Sequence, residues 1–131
     1  MIAADAEELV VAYLAQSFAN VGLDMPNTPP LPFYLVNRLP SPSDWITDHA
    51  LISVHAFAAT RTAAAEAARQ LDAVMNPWVL TPKLSFNLSN GPASIDRMCV
   101  LERPAWHNYE NPNLQRYCGR YRIELRMNQS S

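Results

Sequence analysis

Three histidines, two cysteines and a loose group of carboxylates are the residues of this chain that could do acid–base, nucleophilic or metal chemistry. His49 and His55 have no third ligand at a recognisable spacing, so no metal centre is expected. Asp44, Asp48 and His49 could be arranged as an acid–base cluster. Asp44, however, falls in the turn Ser41-Pro42-Ser43-Asp44, and Asp48 precedes a strand; such side chains commonly cap backbone amides there. His107 stands in a polar aromatic stretch without a partner nearby in sequence. Cys99 and Cys118 form neither a CxxC pair nor part of a ligand set, and are expected as free thiols packed as small apolar groups. There is no GxSxG, HExxH, GxxxxGK[ST] or GxGxxG motif. The residues predict no catalytic centre and no cofactor.

One polar feature has shape. Arg120, Arg122 and Arg126 recur on one side of an alternating segment, interrupted by Glu124. Lys83 is the single lysine among 10 basic residues. Arginine is favoured where planar, multidentate ion pairs form between proteins. A solvated sheet face of mixed charge has the same pattern, and both readings stand. Three arginines beside a glutamate are too few for a DNA-gripping surface. The charge is uneven along the chain: residues 1–65 hold two basic and six acidic groups, and residues 66–131 hold eight and six. An acidic side on one subunit could meet a basic side on the next, the arrangement that closes head-to-tail rings.

The elements that must position these residues follow from periodicity. Asp5-Ala6-Glu7-Glu8 reads as a capped start, and Ala6, Leu9, Val10, Tyr13, Leu14, Ser17 and Phe18 make one apolar face, predicting a helix over about 5–19. Six of the 11 prolines fall between Met25 and Pro42, flanking Phe33 to Arg38, which predicts a short strand between stiff, extended connections. Trp45-Ile46 could pair briefly. Ala50 to Ala58 alternates with apolar groups on both sides, as a central strand does. Thr60 or Thr62 caps a second, alanine-rich helix that Asn76-Pro77 should stop. Trp78 to Gly91 has little pattern. Ala93 to Arg103 predicts a strand ended by Pro104, followed by an exposed aromatic loop at 104–113 carrying Trp106, His107 and Tyr109. Tyr117 to Met127 alternates most cleanly of all.

These pieces predict one small α+β domain, a mostly antiparallel sheet with two helices packed on one face. With 131 residues, 49% hydrophobic, it needs no metal or disulfide to fold. A net charge of -2 argues against a general nucleic-acid or anionic-membrane binder. Met1 to Asp5 lacks the basic and apolar regions of a secretory signal, and the longest apolar run, Leu9 to Ala15, is too short to span a bilayer, so synthesis in the cytosol is expected.

The succession of an acidic-capped helix (Asp5-Ala6-Glu7-Glu8-Leu9-Val10), a proline-flanked strand, a strand running into Ala58-Ala59-Thr60, the helix Ala63-Ala64-Ala65-Glu66-Ala67-Ala68, Arg103-Pro104-Ala105-Trp106 and a last strand resembles the tail terminator proteins of long-tailed bacteriophages, in the branch common among phages of actinobacteria. The resemblance covers nearly the whole chain and departs in a longer segment between Trp78 and Gly91. It implies a virion structural protein, not an enzyme, forming a homo-hexameric ring on the head-proximal end of the tail. Such a ring stops polymerisation of the major tail tube protein and joins the head connector, while DNA passes through its lumen. On that reading Arg120, Arg122 and Arg126 make inter-subunit or tube contacts, and Trp106, His107 and Tyr109 form a docking loop. The proline-stiffened arm at 25–42 would also touch neighbours. A head–tail connector or neck ring protein is the nearest alternative. A small-ligand-binding or enzymatic α+β domain, with the aromatic loop as a pocket lip, is the alternative of a different class.

Overall fold

The computed structural model describes residues 6–39, 47–80, 85–88, 91–109, 111 and 113–126. Helix α1, Ala6–Ala15, buries Ala6, Leu9, Val10 and Leu14 along the stripe that the sequence predicts. It is shorter than expected: the amides of Ser17 and Phe18 both turn back to the Leu14 carbonyl and close its last turn. Asp5, expected as its cap, and the turn and short pairing expected at 41–46 lie outside the described residues.

Six strands follow in one sheet: β1 (Val21–Gly22), β2 (Phe33–Leu39), β3 (Thr47–Ala58), β4 (Ser85–Leu88), β5 (Gly91–His107) and β6 (Gln115–Arg126). Their spatial order is β1-β2-β3-β6-β5-β4, with β1 and β2 parallel and every other pair antiparallel. Helix α2, Arg61–Leu80, crosses from β3 to the β4–β5 hairpin. Both helices pack on the same sheet face, in one apolar core with Tyr34, Val36, Ile52, Val54, Tyr121 and Ile123. The fold is α+β, as the order of elements predicts. The two strands that sequence reading missed, β1 and β4, are the shortest.

Helix α2 departs from expectation at its end. Thr60 caps it, its hydroxyl oxygen accepting from the Ala63 amide at 3.1 Å. Pro77 was expected to stop it, yet it sits inside the helix. An interior proline costs about 3 kcal/mol. Trp78, one residue on, is 1% exposed and stacks on Tyr13 with ring centroids 4.0 Å apart. Burial of such a ring is worth roughly 3–5 kcal/mol by truncation, enough to carry the helix through the proline. The Tyr13 hydroxyl also donates to the Val74 carbonyl at 2.6 Å, tying α1 to the same turn.

Strand β5 likewise runs through its proline. Pro104 was expected to end it, but β5 continues to His107, with register shifts against β6 after Ile95, Val100 and Glu102. The extra residues break the expected alternation, so Ile95 and Met98 both enter the core. Gly119 on β6 faces this irregular stretch. A Cβ there would stand 2.6 Å from the Tyr121 hydroxyl oxygen and 3.2 Å from Pro104 Cγ. The absent side chain is where the tyrosine lies.

The β2 edge of the sheet is closed by side chain and loop. The Tyr34 amide donates to the Asn20 carbonyl at 2.9 Å, and the Arg38 amide donates to a Glu7 carboxylate oxygen at 2.9 Å. Among the described residues no helix is long and apolar enough to cross a membrane.

Gly119→Ala is expected to push the fully buried Tyr121 ring out of place, destabilising the domain by about 1–3 kcal/mol. A lower urea midpoint at unchanged m-value checks it.

Candidate functional site

Because both helices lie on one face, no helix among the described residues covers the other face of the sheet. Alternation on β3 and β6 sends Leu51, Ser53, His55 and Phe57, with Arg116, Cys118, Arg120 and Arg122, to that side. Strand β5 adds Arg97, Cys99, Glu102 and His107 through the pairs Arg97↔Glu124, Cys99↔Arg122, Glu102↔Arg120 and His107↔Arg116. Strand β2 adds Phe33, Leu35, Asn37 and Leu39.

Arg120 and Arg122 share the open face, and the side chain of Arg126, the third residue of the expected row, lies outside the described residues. Arg120 is exposed, with Nε 4.0 Å from a Glu102 carboxylate oxygen. The Nε of Arg122 is buried with no hydrogen-bond partner. The same is true of Arg116 Nε, on a residue that sequence reading passed over because it precedes the alternating run. Arg116 donates through Nη2 to the Asn108 carbonyl at 2.6 Å and lies over the Tyr109 ring at 5.2 Å. A buried guanidinium N–H without an acceptor is costly, on the order of 1–3 kcal/mol, and two occur on this one face.

The aromatic residues do not make a single exposed loop. Trp106 and His107 belong to β5, and the connection to β6 begins only at Asn108. Trp106 points to the helix side, where its indole N–H donates to Gln115 Oε1 at 3.0 Å and Arg61 lies 4.5 Å above its ring. His107 is on the open face, its Nε2 3.2 Å from Glu102 Oε1. Tyr109 packs edge-on against Phe57, centroids 4.9 Å apart, beside a small second apolar cluster of Phe33, Phe57 and Leu114. The stretch therefore clasps the end of the sheet and divides between its two sides. The proline segment divides too: 23–32 is a largely exposed connection, and Phe33–Leu39 is a strand within the sheet.

Near the middle of the open face, Leu39, Leu51 and Leu101 floor a shallow hollow of about 290 Å³ walled by Glu102 and Arg120. Leu101 is 54% exposed because it is the extra residue of a bulge, a placement no periodicity could announce.

His55 is half-buried between these arginines. Its Nε2 is 3.2 Å from Ser53 Oγ, and its Nδ1 is buried with no partner. An unpaired acceptor is tolerated better than an unpaired N–H, so the neutral ring carries its proton on Nε2 and donates to Ser53. Burial first, then the charges of Arg116, His107 and Arg120, push its pKa down to about 4. Burial also raises the Cys118 thiol, so it is no ready nucleophile; both cysteines are free thiols. Asp44 and the side chains of Asp48, His49 and Arg126 lie outside the described residues. Among the described residues no three His, Cys, Asp or Glu side chains converge on a metal position.

A histidine whose folded pKa lies below its ordinary value of 6.5 binds fewer protons folded than unfolded, so stability falls as pH drops from about 6.5 to about 4. His55→Gln is expected to remove about 1–2 kcal/mol of that loss, solvent screening the rest at this half-buried ring. Urea unfolding of both proteins across this pH range measures it.

No protein-family model matches this chain, and a comparison with curated proteins finds no match either.

Proposed function

We propose that this chain is a virion structural protein, a ring-forming tail terminator that caps the tail tube, stops its polymerisation and joins the tail to the head connector. The observation that carries the reading is the helix-free face. Arg122 and Arg116 each hold a buried Nε without an acceptor there, beside an apolar hollow that includes the exposed Leu101. A face of this kind is better covered by another protein than by water: a neighbour's carboxylates or carbonyls can accept from the exposed Arg120 guanidinium, and the leucines lose their exposure.

The resemblance of the chain to tail terminators gives that neighbour its identity: the next copy in the ring or a tube subunit. Arg120 and Arg122 are the contact residues, with Arg126 continuing the row. The net charge of -2 suits the same role, because an assembly of such chains stays acidic and gives no general attraction to DNA phosphates moving through its centre. A connector or neck ring uses the same kind of face and differs in what it caps.

Sedimentation velocity alone and with tail tube subunits tests the proposal. The expected result is a ring, formed alone or on tube ends, that halts tube growth. Arg122→Glu is expected to weaken attachment at least tenfold while leaving the melting temperature within a few degrees. A chain that stays monomeric in the presence of tube subunits and leaves tube length unchanged refutes the terminator function. Ring formation without tube capping favours the connector role.

A further inference from the structure

Strand β5 is paired with β6 from Ile95 to His107 but with β4 only over Gly91–Ser94. From Ile95 to Arg103 its outer edge therefore has no strand partner among the described residues, and no backbone hydrogen bond joins that edge to another described segment. The usable stretch has fixed limits: β4 occupies the edge on one side, and Pro104, with no amide proton, ends it on the other. Cys99 is the midpoint of that stretch.

Unpaired strand edges recruit strands, and the question is whose. Another copy of this chain cannot offer β2, whose outward amides at Tyr34 and Arg38 are already taken by Asn20 and Glu7. Its β4 offers only Ser85–Leu88. The longest free edge available on a second copy is β5 itself.

We infer that two copies join edge to edge through β5, antiparallel about Cys99. Turning the strand about that residue sets Arg97 opposite Leu101 of the second copy, with Glu102 of the second copy next to it on the same face. The exposed Arg97 thus meets a carboxylate twice by symmetry, and Leu101 is covered by the arginine's methylenes. The pair joins the backbone edge of β5, whereas the proposed ring contact uses side chains of the sheet face, so either contact can form without the other.

Directly opposed residues of an antiparallel pair have Cα atoms about 4.5–5.5 Å apart, within the range that a disulfide spans. The protein is oxidised at micromolar concentration with diamide, which takes one hydrogen from each thiol, and the linked peptides are mapped by mass spectrometry. The expected product is a covalent dimer linked Cys99 to Cys99, absent in Cys99→Ser. Leu101→Lys, which sets an ammonium against Arg97, is expected to cut its yield at least tenfold with an unchanged circular dichroism spectrum. Arg122→Glu is expected to leave the Cys99 link in place even where it abolishes a ring. No cross-link, a link through Cys118, or a yield indifferent to Leu101→Lys overturns the edge pairing.

Discussion

The contact between Tyr13 and Trp78 decides where everything else goes. An indole is too large to leave in water, and Trp78 finds cover against the ring of Tyr13 and the apolar core below. With the Tyr13 hydroxyl on the Val74 carbonyl, the contact locks the last turns of α2 to α1 and commits both helices to one face of the sheet. Alanines at 64, 67 and 68 let the early turns of α2 approach closely, and the Tyr34 hydroxyl reaches the Ala67 carbonyl at 3.1 Å. With two helices spent on one side, the other side must solve its own solvation. Its mixture of arginines, glutamates, histidines and half-buried leucines is that solution, and an incomplete one.

Much of this architecture is legible in the sequence because its central pieces obey a single period. Strand β6 alternates cleanly since helices cover it on one side only; β3 shows apolar groups on both sides because, on the open face, Phe57 packs with Phe33 and Leu114 and Leu51 lines the hollow. The failures share a cause. Pro77 and Pro104 are local stop signals that tertiary packing overrules, the first through Trp78 and the second through bulges that let β5 keep its pairing with β6 past the ring. Strands β1 and β4 are too short to carry a period, and each exists by pairing with a longer neighbour. The candidate face was half visible. Alternation aligns Arg120 with Arg122, but nothing local reveals that Arg116 is trapped under Tyr109, that Leu101 is pushed out by a bulge, or that Trp106 turns to the opposite side from His107.

The electrostatics of the open face follow from that geometry. His55 stays neutral at physiological pH because burial and the neighbouring Arg116 and Arg120 oppose its protonation, and Glu102 is shared between His107 and Arg120. The face therefore holds more guanidinium donors than acceptors. On the helix side Arg103 pairs with Asp72 and Arg69 with Glu66, contacts largely open to solvent and worth little each, and Arg61 lies over the Trp106 ring.

The Glu7 carboxylate on the Arg38 amide has a consequence for the order of events during synthesis. The contact joins residues 31 positions apart, and the helix that supplies the carboxylate leaves the ribosome before the strand that needs it. The shield for the β2 edge is already made when that edge emerges, so nascent chains on one polysome have little opportunity to zip together through β2. From Ile95 to Arg103 the outer edge of β5 has no such predecessor among the described residues. Crowded nascent chains that do associate are expected to do so late, once the second half of the domain has appeared.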